Sequence, residues 1–68
     1  MTTKSLATEY PKEQARVRRL LGFYKELGPA GAFGVMSIEA ILREADRASA
    51  EHDTVAMLRS FEALKGCE

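Results

Sequence analysis

At 68 residues the chain makes one small domain, too short to bury a comfortably stable core without a disulfide, a metal or a partner. Its single cysteine, Cys67, closes no internal disulfide, and His52 has no Cys or His neighbour at zinc-site spacing, so no metal or cofactor is expected and a partner chain is the natural supplement. Ten basic and ten acidic residues leave no net charge, which disfavours nucleic acid and anionic membranes as partners.

Residues 1–10 read as an N-terminal arm, because Pro11 is favoured at a first helical position and pushes Tyr10 out of helical backbone. The arm has no apolar stretch of signal-peptide length, and no segment of the chain could span a bilayer. With one thiol fitting a reducing compartment, a cytoplasmic protein is expected, with one helical domain over residues 11–68. Val17, Leu20, Leu21, Tyr24 and Leu27 recur at three- and four-residue spacing and predict a first helix to about Leu27, stopped by Gly28 and Pro29.

The second helix carries Val35, Ile38, Leu42 and Ala45 on one stripe, with Ile41 alongside, and fades into the alanine-rich, charged stretch 44–51. Its start has two readings: Pro29 as the first helical residue, or Gly34 as a cap after a true loop. The Pro29 start is preferred, since Gly-Pro makes a natural helix-to-helix corner. Asp53 is a good N-cap for a third helix whose apolar face is Val55, Leu58, Phe61 and Leu64, with Gly66 as its stop. No segment alternates with period two and no repeat is present. The expected fold is all-α, a helical hairpin plus a short third helix in a small bundle completed by homodimerisation.

Charge is unevenly spread along the chain. Residues 1–34 hold six basic against three acidic side chains and carry +3, while residues 35–68 hold four against seven and carry −3. Halves of opposite sign satisfy each other within one chain or head to tail in an antiparallel dimer. Lys12, Arg16 and Arg19 form one stripe on the first helix that Phe23 continues, with Arg18 and Lys25 elsewhere on its exposed surface. Such a stripe suits an acidic protein surface or phosphates, although a solvated face is the commoner meaning.

The segment Gly28-Pro29-Ala30-Gly31-Ala32-Phe33-Gly34 concentrates the chain's special backbone chemistry. Amides of Gly31, Ala32, Phe33 and Gly34 at a helix N-terminus could cradle a phosphate. The competing reading is that Ala30, Gly31 and Gly34 are small to admit a neighbouring helix, with Phe33 and Met36 plugging the corner. Packing is preferred, because neither a Walker lysine nor a dinucleotide fingerprint accompanies the glycines. His52 reads as an exposed turn residue and Cys67 as an exposed thiol open to oxidation. The pairs Glu44/Asp46 and Glu51/Asp53 fit neither calcium-loop nor di-iron spacing. No residue set specifies a reaction, so the chain is expected not to be an enzyme.

The stretches Leu27-Gly28-Pro29-Ala30-Gly31-Ala32-Phe33-Gly34 and Asp53-Thr54-Val55-Ala56-Met57-Leu58-Arg59 resemble those of small uncharacterised helical accessory proteins encoded by phages and prophages of Gram-negative bacteria. That resemblance implies a protein of the host bacterial cytoplasm that binds and modulates a host protein stoichiometrically, as an inhibitor. The resulting expectation is a homodimer that meets its host partner through Lys12, Arg16, Arg19 and Phe23 together with the Gly31–Gly34 corner. The alternatives are a sponge that sequesters a phosphate-bearing nucleotide and, disfavoured by charge, a small nucleic-acid-binding regulator.

Overall fold

Ser5, not Pro11, opens the first helix. The computed structural model describes residues 5–68, and in it α1 spans Leu6–Glu26, α2 Ala32–Ala50 and α3 Thr54–Lys65, with a 3-10 turn over Gly28–Gly31 and no strand among the described residues. Ser5 is extended at φ −90 and its hydroxyl accepts the Thr8 amide at 3.2 Å, which satisfies one of the helix's orphan donors. The expected arm is therefore corrected over residues 6–10, which are helix; residues 1–4 lie outside the described residues.

This start leaves Pro11 inside α1, without the N–H that would reach Ala7 and at a local cost of up to about 3 kcal/mol. Tyr10 supplies the offset. Its side chain is 1% exposed, its ring stacks on Phe61 at 6.1 Å between centroids, and its hydroxyl lies 2.9 Å from the Ala45 carbonyl and 2.7 Å from Ser60 Oγ. Burying an aromatic of this size contributes roughly 2–3 kcal/mol, and Leu6 adds further apolar contact one turn earlier.

Tyr10 and Val17 from α1, Ile38, Leu42 and Ala45 from α2, and Leu64 and Cys67 from the chain's last residues form the core. Leu20, Leu21, Tyr24, Ile41, Met57 and Phe61 pack half-buried around it. α1 and α2 run antiparallel, as Arg18 meets Asp46 at 2.6 Å and Lys25 meets Glu39 at 3.7 Å. α3 returns alongside both, so a three-helix bundle closes within one chain, and the opposite charges of the two halves meet across α1 and α2. All four of these charged side chains are about half exposed, so each pair contributes at most about 1 kcal/mol.

The second helix begins as a 3-10 turn at Gly28 and becomes α-helical only at Ala32, between the two starts the sequence offers. Its inward stripe is Ile38, Leu42, Ala45 and Ala48, so the alanine-rich stretch is packed helix rather than a fading end. Asp53 caps α3 as expected, accepting the Ala56 amide at 3.1 Å. The expected apolar face of α3 needs correction: Val55 is 59% and Leu58 52% exposed, whereas Ser60 and Leu64 are buried and Met57 and Phe61 pack on the core.

Candidate functional site

The α1–α2 corner is built on Tyr24. Gly28 takes φ +64, a left-handed backbone that lets α1 stop within one residue, and Pro29 starts the 3-10 turn. The turn folds back so tightly that a Cβ on Gly31 would collide with the Tyr24 carbonyl oxygen, and one on Gly34 would stand 2.7 Å from the Tyr24 ring. Both glycines are thus occupied by close packing, and the helix that approaches them is α1 of the same chain. The Tyr24 hydroxyl donates to the Glu68 carbonyl at 2.7 Å, which ties the corner to the end of α3.

Around this rigid turn the side chains point outward. Phe33 is 82%, Met36 69%, Phe23 66% and Leu27 58% exposed. Phe33 and Met36 therefore do not plug the corner; the Tyr24 ring fills the space they were expected to take. Phe23 and Leu27 line one shallow groove with Leu20 and Tyr24, and Phe33 lines the next one, with Tyr24 between them. The result is an apolar rim on one end of the bundle.

The basic stripe divides into three uses. Arg16 is spent inside the fold: its guanidinium is held by Glu13 at 3.0 Å and donates to the carbonyls of Leu64 at 2.7 Å and Cys67 at 2.9 Å. A cation there gives the Leu64 carbonyl a second donor beside the Cys67 amide at 3.1 Å and opposes the negative end of the α3 dipole. Lys12 pairs with Glu9 at 3.6 Å, while Arg19 forms no ion pair among the described residues. Arg18 and Lys25 are committed to α2 rather than to solvent alone.

Of the remaining candidates, Cys67 is buried rather than exposed, and burial pushes its thiol above the usual range while Arg16 pulls partly the other way. A thiol so placed is a poor nucleophile at neutral pH. His52 is exposed in the α2–α3 turn with φ +54. Glu44 hydrogen-bonds Arg47, which holds its carboxyl below the ordinary value, and Arg47 also reaches Glu51 at 2.6 Å and Asp53 at 3.7 Å. These acids stitch α2 to the α3 cap, and among the described residues no three His, Cys, Asp or Glu side chains gather as a metal site. No described helix is long and apolar enough to cross a membrane.

Sequence reasoning missed Leu27 as a rim residue, because its spacing continues the α1 core stripe, and missed Tyr24 as the anchor of the corner. The signal for Tyr24 was present in the glycines: Gly31 and Gly34, three apart, mark a surface on which something large must lie. No family model, curated protein or solved structure matches the chain.

Proposed function

We propose that this chain is a non-enzymatic protein-binding module that acts as a homodimer and engages its partner through the apolar rim of the α1–α2 corner. The observation that carries the reading is the exposure of Phe33 at 82% and Met36 at 69% on a turn whose backbone is fixed by Gly31 and Gly34 against Tyr24. A backbone already fixed pays no further ordering cost on binding, and exposed Phe and Met side chains are what the buried centre of a protein interface uses. The partner is a host protein, the class that the resemblance to phage accessory proteins implies, and binding inhibits it by occupying its surface. The nucleotide-sponge alternative draws less support, since Arg16 is engaged by α3 carbonyls and no basic side chain lines the grooves beside the corner.

The test compares wild type with the double variant Phe33→Ser, Met36→Ser as baits in a bacterial lysate. Because both side chains are exposed, the variant keeps its thermal melt, and the expected outcome is one protein retained in stoichiometric amount by wild type and lost by the variant. Identical captures by the two baits would overturn the reading.

A further inference from the structure

Gly22 has no explanation inside one chain. It sits inside α1, one turn before its end, is exposed, and a Cβ built on it would meet nothing within 4 Å. An exposed glycine in a helix interior is less favourable than alanine, and its backbone here is ordinary helix. Its neighbours on the same face are the second anomaly. Of the charged side chains of α1, Glu9, Lys12, Glu13, Arg16, Arg18 and Lys25 all form ion pairs, and only Arg19 and Glu26 form none among the described residues. Those two are seven residues apart, so they stand nearly in line along the helix, about 10 Å from each other. The midpoint between them falls between Gly22 and Phe23, and Phe23 is 66% exposed.

We propose that two copies of this chain pair through antiparallel α1 helices that cross at Gly22. In a two-fold antiparallel pair centred between positions 22 and 23, position 19 of one copy faces position 26 of the other. Each Arg19 then meets the second copy's Glu26, twice over, and each Phe23 ring lies over the second copy's Gly22, where no side chain blocks it. A self-complementary arrangement of this kind is what a two-fold interface requires. A single unrelated partner would demand no such relation between Arg19, Glu26 and the glycine midway between them, and that relation selects a second copy as the occupant. The apolar contact of Phe23 supplies the affinity and the charges set the register. This rests on the homodimer reading above and leaves Phe33 and Met36, on α2, for the other partner.

Sedimentation equilibrium over a range of concentrations, with circular dichroism as the control for folding, tests the pairing. Wild type should dimerise. Arg19→Glu and Glu26→Arg should each weaken the dimer about tenfold, and the double swap should restore it, because the pairs are rebuilt with reversed sign. Gly22→Leu should weaken it roughly a hundredfold while leaving the monomer helical, since leucine is a better helix former and meets nothing in its own chain. A wild-type dimer unaffected by Gly22→Leu and Arg19→Glu would overturn this interface yet leave the homodimer standing. A wild type that stays monomeric at every concentration would overturn both.

Discussion

The two connections of the bundle solve the same problem with different residues. α1 is capped by Leu27 and α2 by Glu51, and in each case the next residue turns left-handed: Gly28 at φ +64 and His52 at φ +54. After Glu51 the His52 amide reaches the Ser49 carbonyl at 3.2 Å and the Asp53 amide reaches the Ala48 carbonyl at 2.9 Å, the paired bonds that close a helix end on a left-handed residue. At the first connection glycine makes this backbone free of strain. At the second, histidine bears a cost of about 1 kcal/mol, offset by the Asp53 cap and by Arg47 bridging Glu51 and Asp53. The first turn is held by steric closeness to one aromatic ring and the second by polar bonds, so the first tolerates added atoms least.

Gly31→Ala probes that intolerance most directly. The added methyl collides with the Tyr24 carbonyl oxygen, which is backbone and cannot swing aside, so a loss of about 2–3 kcal/mol is expected in urea unfolding. A variant as stable as wild type would show that the corner yields, and the contrast between the turns would fail. The two tyrosines sharpen the comparison next. Tyr10→Phe strips a buried hydroxyl that ties α1 to both Ala45 and Ser60 near the second turn, and should cost about 1–2 kcal/mol. Tyr24→Phe keeps the ring over Gly34 and removes only an exposed bond to Glu68, so its expected cost is below about 0.5 kcal/mol. Equal losses would mean that the corner depends on the hydroxyl rather than on the ring.

The two left-handed positions should respond with opposite signs. His52→Gly relieves the left-handed strain and should raise stability by about 0.5–1 kcal/mol, whereas Gly28→Ala introduces the same strain and should lower it by about 1 kcal/mol. Thermal melts of the two variants, compared at equal concentration, give the check. A destabilised His52→Gly would show that the imidazole makes a contribution larger than the strain it bears.

Much of the fold was legible in the chain. Val17, Leu20, Leu21 and Tyr24 on α1, and Ile38, Leu42 and Ala45 on α2, face the core as their spacing requires. Asp53 caps α3 because a short carboxylate before a helical pattern has few better uses. The face of α3 was misread for a geometric reason. Val55, Leu58, Phe61 and Leu64 advance by threes, and each such step falls about 60° behind the last, so the set winds round the helix instead of marking one side. Pro11 was misread for an energetic one. Its local preference for a helix start is real, but the turn before it carries Leu6 and Tyr10, whose burial outweighs the lost hydrogen bond.

The candidate site was legible in part. The glycines and Phe33 drew attention to the corner, and Phe23 to the outer side of α1, by residue type alone. Which of them face solvent was not readable, because Tyr24 and Phe33 are both aromatics near the corner and only the path of the turn decides which ring covers Gly34. Arg16 likewise belongs to the basic stripe by spacing, and only the arrival of the α3 end beside it converts that charge from a surface feature into a helix cap.

By itself the sequence determined an all-helical chain with apolar stripes on its first two helices, a glycine-marked corner after α1 and a capped start to α3, since periodicity, capping and backbone freedom are properties of neighbouring residues. Only the tertiary structure decided that Tyr10 belongs to the core, that Arg16 and Cys67 are used inside the fold, and that Leu27, Phe33 and Met36 stand outside it. Those outcomes depend on which distant segment comes to lie beside each residue, and burial and pairing are energies of that encounter, which local pattern does not encode.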